Sequence, residues 1–158
     1  MRGADLSGKT LSGVNLESAD LRDTNLSNAD LTGSILSNAD LRGADLSNAH
    51  LQGAHFEEAN LQGARLVGAD LYWVSFWRAN LAGANLEHAL LQGADLTEAN
   101  LRGANLCNAN LGRDNVGGST RLMGADLTDA LITGTVFEGV EGDENTRYPH
   151  GFPAKKEQ

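Results

Sequence analysis

The sequence predicts an all-β solenoid, a chain wound in short extended edges around a narrow apolar axis, and three features of its period predict it. Leucine returns every fifth residue from Leu6 to Leu111, replaced by Phe56 and Phe76 within the run and by Val116 after it, so that 20 of 23 pentads carry it. Alanine stands two positions before it in 17 of these pentads, as at Ala19, Ala29 and Ala39. The residue between the two is Asp or Asn in 16. A long α-helix cannot use this pattern, because five steps of about 100° advance the stripe by roughly 140° and smear leucine around the cylinder. A flat strand fails too: side chains alternate with period 2, so an odd repeat throws successive leucines to opposite faces. Within one extended pentad Ala and Leu point to one side and Asp or Asn to the other. A bend of about a right angle per pentad then turns every Ala and Leu toward a common axis.

The spacing that restores like residues sets the size of the coil. Twenty residues bring Phe56 onto Phe76, Arg22 onto Arg42 and Asn28 onto Asn48, and align Ser7, Ser27 and Ser47. That predicts four pentads per coil, with layers about 4.8 Å apart. Phe56 and Phe76 are expected to stack as a core pair, in a core that also holds Leu46, Leu66, Leu86 and Leu96. Outward, Asp20 over Asp40 is mildly repulsive, and Asn60, Asn80 and Asn100 dilute the charge of that column. Counted to Phe137 the period gives 27 pentads, just under seven coils and a rod of about 32 Å.

The period breaks once. Leu122 follows Val116 by six residues instead of five, which reads as a one-residue register shift within 112–121. The segment Gly112 to Thr120 is glycine-rich and polar, with Asp114 where an inward alanine is due, so a bulge or small loop is expected. Gly117-Gly118-Ser119-Thr120 does not make a phosphate loop, because the GxxxxGK[ST] order is missing. Residues 1–139 are therefore read as the solenoid and 140–158 as a C-terminal cap over the open coil end, where unpaired backbone groups and leucine need cover. At the other end Met1, Arg2 and Gly3 are too few to cover the first coil, so that end is expected either to be left bare by truncation or to be a dimerisation surface, with the chain a monomer or an end-to-end homodimer.

The tandem A-(D/N)-L-x-x unit resembles that of the pentapeptide-repeat family over about residues 4 to 139. The tail from Glu144 to Pro153 is similar to the Thr-x-(Phe/Tyr)-Pro-x-Gly-Phe-x-Pro ending of many cyanobacterial members. The resemblance implies a right-handed quadrilateral parallel β-helix with Leu and the preceding Ala inward.

Composition narrows the function. No apolar run approaches the roughly 18 residues of a membrane span. The 21 acidic and 12 basic residues leave a net charge of −9, the wrong sign for gripping phosphate backbones, so direct nucleic-acid binding is not expected. Cys107, the lone cysteine, cannot form an internal disulfide, and the N-terminus lacks the apolar stretch of a signal peptide, so a cytoplasmic location is expected.

In Tyr72-Trp73-Val74-Ser75-Phe76-Trp77-Arg78 the rings of Tyr72, Trp73 and Trp77 fall in columns otherwise filled by Gly, Ser, Thr, Gln and Glu. Val74 and Phe76 face inward by register, leaving Tyr72, Trp73, Trp77 and Arg78 as candidate anchors for an unidentified protein partner, since aromatic and Arg side chains dominate binding hot spots. The alternative is self-packing, the rings lying over glycines such as Gly53 and Gly93. His50 and His55 fall on adjacent faces, and Cys107 and His88 lie elsewhere, so no metal site is expected. Cys107 has no paired base, no catalytic residue is assigned, and no cofactor is implied. The function read from the sequence is a non-catalytic interaction or scaffolding rod. The alternative comes from the resemblance: some members are acidic rods that mimic DNA, bind DNA gyrase and give quinolone resistance. Duplex DNA of about 32 Å carries roughly 19 negative charges, against 17 acidic and 9 basic side chains in residues 1–140, which ranks that reading second.

Overall fold

The computed structural model describes residues 1–152. Parallel bridges join each outward residue to the one twenty positions on, Asp5 to Asn25, Thr10 to Asp30, Asn15 to Ile35 and Asp20 to Asp40, and these four columns define faces one to four. Each layer donates and accepts: Leu26 N donates to Asp45 O at 2.7 Å, and Asn25 N donates to Ala4 O at 2.9 Å. Corners follow each central Leu, where the amide three residues on closes a turn, as Ala29 N does on Leu26 O at 3.1 Å. The third residue of the turn has positive φ, +62° at Gly33, +55° at Asn48 and +57° at Glu58, the requirement of a type II turn. Gly and Asn recur at this fifth pentad position because they enter the left-handed region at least cost.

Leu46, Phe56, Leu66, Phe76, Leu86 and Leu96 are fully buried. The Phe56 and Phe76 rings meet with centroids 5.1 Å apart and planes tilted by 33°. Where a hydroxyl replaces the inward alanine it finds a carbonyl: Ser34 Oγ donates to Leu31 O at 2.7 Å and Thr120 Oγ1 to Leu91 O at 2.8 Å. Without such bonds each buried hydroxyl costs about 1–3 kcal/mol. Outside, the repulsion of Asp20 over Asp40 is neutralised, because Arg22 bridges Asp20 at 2.7 Å and reaches Asp40 at 3.5 Å. Asn80 and Asn100 each donate a side-chain N–H to the asparagine one layer back, at 3.2 Å.

The break is larger than the one-residue insertion that the period predicts. Arg121 pairs with Asp95 and Asp126 with Asn100, a spacing of 26 residues where 20 holds before it. Six residues are added, and the sequence period registers one, because a whole extra pentad leaves the register of the leucines unchanged. Residues 112–116 accordingly form no face. Val116, read as a central residue, is 83% exposed, and Leu122 takes up the core position. The ladder runs past Phe137, since Glu141 pairs with Arg121 and Arg147 with Asp126.

At the C-terminal end Phe152 stacks on Tyr148 at 4.0 Å and meets Phe137 edge-on at 4.8 Å, with Val140 buried beside them. Thr146 Oγ1 donates to Leu122 O at 2.8 Å. The part of the expected cap at 153–158 lies outside the described residues. At the other end Leu6, Leu11 and Leu16 are half-buried, and the Met1 amine donates to Asp20 O at 2.8 Å.

Candidate partner-binding site

The register distributes the aromatic heptapeptide over two corners. Tyr72 and Trp73 form the turn after Leu71, between faces two and three, whereas Trp77 and Arg78 form the turn after Phe76, between faces three and four. Ser75 is the outward residue of the face between them, bridged to His55 below and Asp95 above. The site is thus a narrow floor of small and polar side chains with an aromatic corner on each side. Val74 and Phe76, the inward members, are fully buried, so the core holds both corners from beneath.

At the first corner Trp73 adopts φ +56° and stays 55% exposed. That φ is the corner conformation of the repeat itself, shared by Asn48, Glu58, Arg78 and His88 at equivalent positions. The ring meets Tyr72 edge-on at 5.7 Å and rises over Gly93, where an added Cβ would stand 2.5 Å from Trp73 Cδ1. Gln92 Nε2 donates to the Tyr72 hydroxyl at 2.7 Å, while Gln92 Oε1 is buried without a partner.

The loop at 112–119 reaches this corner. Trp73 Nε1 donates to Asp114 Oδ2 at 2.6 Å, across 41 residues of sequence. The other oxygen of Asp114 accepts the amides of Gly118 at 2.6 Å and Val116 at 2.9 Å. The indole N–H above all, with these amides, holds the Asp114 carboxyl below the usual carboxylate range against the opposing effect of burial.

At the second corner the Arg78 guanidinium lies 4.3 Å above the Trp77 ring. Its Nε donates to Glu98 Oε2 at 2.6 Å, an exposed ion pair that orients the side chain more than it stabilises the fold. Below Trp77 in the same column, Glu57 accepts from Ser37 Oγ at 2.6 Å and lies 3.1 Å from His55 Nδ1.

Tyr72, Trp73, Trp77 and Arg78 therefore do not form one continuous cluster; they flank the face of Ser75. Of the two glycines under the rings, Gly93 underlies Trp73, whereas the position of Gly53 is open. Sequence reasoning missed Gln92 and the pairing of Asp114 with Trp73. The one signal for Asp114 was a charge at an alanine position; its partner depends on the path of the loop. His50 and His55 stay on separate faces, and among the described residues no group of His, Cys, Asp or Glu is placed to hold a metal. No helix among them is long and apolar enough to cross a membrane.

The family model for pentapeptide repeats matches residues 1–38, 39–78 and 75–113, in eight copies. Among solved structures the chain is similar to HetL of the cyanobacterium Nostoc, a pentapeptide repeat protein involved in heterocyst differentiation regulation. The two are 30% identical over 88% of this chain and 83% of that one, with a TM-score of 0.53. It is also similar to the pentapeptide repeat protein Rfr23 of the cyanobacterium Cyanothece, at 33% identity over 91% of this chain and 90% of that one, with a TM-score of 0.40. The fluoroquinolone resistance protein QnrB1 matches at 21% identity over 89% and 80% of the two chains, with a TM-score of 0.41. No curated protein matches the sequence.

Proposed function

The chain belongs to the pentapeptide-repeat family, and from that premise we propose that it works as a non-catalytic rod that recognises a protein partner across face three. The observation that carries the proposal is the pair of aromatic corners flanking Ser75, with Trp73 55% exposed at one and Arg78 over Trp77 at the other. Aromatic rings with fixed backbones bury large area at little entropic cost. The right-handed sense of the coil and a cytoplasmic setting, in which the half-buried Cys107 stays a thiol, belong to the same proposal. A regulatory role of the kind named for HetL suits a chain whose distinctive feature is a recognition surface.

The DNA-mimic reading has less support. A mimic needs a line of unpaired negative charge, yet Asp20, Asp40 and Asp95 are each paired with an arginine at 2.7 Å. The deciding experiment is affinity capture from the lysate of the source cells with wild type and a Trp77→Ser, Arg78→Ser variant of unchanged melting temperature. A partner held by the wild type and lost by the variant supports face three. Gyrase held equally by both supports acidic mimicry instead, and a partner indifferent to the substitutions sinks the assignment of the site.

A further inference from the structure

Among the described residues, one segment leaves the coil before its last layer and returns to touch it two layers away. The loop departs at Gly112, one layer above Gln92, and its Asp114 meets Trp73, one layer below Gln92. Its anchors are few. Asp114 Oδ1 gathers the amides of Val116 and Gly118, so the loop folds around its own carboxylate, and the sole side-chain bond from that carboxylate to the coil is the one from Trp73 Nε1. Val116, at the tip, is 83% exposed and packs no core. Arg113 lies against Gly139, and the one charge-assisted side-chain hydrogen bond between Asp114 and the rod is that from Trp73.

The rod side leaves room for that bond. Trp73 holds a left-handed backbone, and the next layer offers Gly93, where any side chain would push the ring away. Gln92, 6% exposed, leaves Oε1 unpaired. A segment with an exposed tip and one such bond from its carboxylate to the rod opens locally at far lower cost than the packed coil.

We propose that the 112–119 loop is a latch on the first aromatic corner. Closed, it occupies the hydrogen-bonding edge of Trp73; open, it frees that edge and unfolds from around Asp114, exposing the Val116 and Gly118 amides to exchange. Its relevance to recognition rests on the reading of face three as a docking site, but the latch itself is a property of the isolated protein and is tested without a partner.

The experiment is amide hydrogen exchange of the full chain, wild type against Trp73→Phe and Asp114→Asn, with Trp77→Phe as control. Trp73→Phe keeps a ring and removes the N–H. Asp114→Asn keeps an acceptor for the loop amides while facing the indole N–H with a donor. Loss of a charge-assisted bond opens the loop at least about tenfold more often, so exchange at Val116 and Gly118 accelerates by that factor in both variants. Trypsin then cuts faster after Arg113, and coil amides such as Leu96 are unchanged. The proposal is overturned if those two amides already exchange without protection in the wild type, if neither variant accelerates them beyond twofold, or if the acceleration spreads evenly into the coil.

Discussion

Replacing Phe56 and Phe76 with leucine, singly and together, tests whether the twenty-residue column is an energetic unit as well as a geometric one. Both rings are fully buried, with centroids 5.1 Å apart. They sit in a column whose other layers carry Leu16, Leu36, Leu96 and Leu122, so the backbone there already accommodates leucine. Phe→Ala costs about 3–5 and Leu→Ala about 2–5 kcal/mol, which puts the transfer part of Phe→Leu near 1 kcal/mol. A void beside the remaining ring adds about 24 cal/mol per Å³, bringing each single substitution to about 1–2 kcal/mol. The double substitution removes both rings and lets two leucines meet as they do elsewhere in the column. It should therefore be milder than the sum of the singles by about 0.5–1.5 kcal/mol, the worth of an aromatic pair beyond its area. The assay is urea unfolding of the four proteins, followed by circular dichroism and by tryptophan fluorescence, with coincident transitions licensing the cycle. Additivity within about 0.3 kcal/mol would refute the pairing argument.

Three further outcomes follow from the same geometry. Leu66→Asp places a charge in the fully buried core and should cost more than about 4 kcal/mol, whereas Asn60→Asp on the outer column should cost well under 1 kcal/mol; equal losses in thermal melts would contradict the inward and outward assignment. Gly93→Ala should destabilise more than Gly53→Ala and shift tryptophan emission, because both positions have positive φ but only Gly93 lies under Trp73; identical melts and spectra would contradict the contact. The carboxyls of Asp40, chiefly through Arg42, and of Asp114, chiefly through Trp73, titrate below their ordinary range in the fold. Groups with depressed folded values stabilise fully above the unfolded value of about 3.9 and lose that contribution as pH falls through the folded one. The melting temperature should therefore hold from about pH 8 to 5 and fall below about 4, with a shallower fall in Asp114→Asn; a decline that begins near neutrality would point to other groups.

Every inward residue from Leu21 to Leu111 is predictable from its place in the pentad, because a five-residue period admits neither a straight helix nor a flat strand. The stacking of Phe56 on Phe76 was legible for the same reason: identical layers turn sequence spacing into contact. The positive-φ corners were partly written in the recurring Gly and Asn, although Trp73 and Arg78 occupy the same conformation without either residue type. The loop was misread, since an added pentad and one more residue look like one residue to a counter of leucines. The candidate site was legible as a list of outward rings and illegible as a shape: Tyr72 and Trp73 turn one corner, Trp77 and Arg78 the next, and the consecutive numbers hide the face between them. By itself the sequence determined the coil, its core and its outward columns, all products of local alternation repeated in register. Only the tertiary structure decided that Asp114 meets Trp73 and that Gln92 is left unpaired, because those contacts depend on where an irregular loop closes in space, which no period encodes.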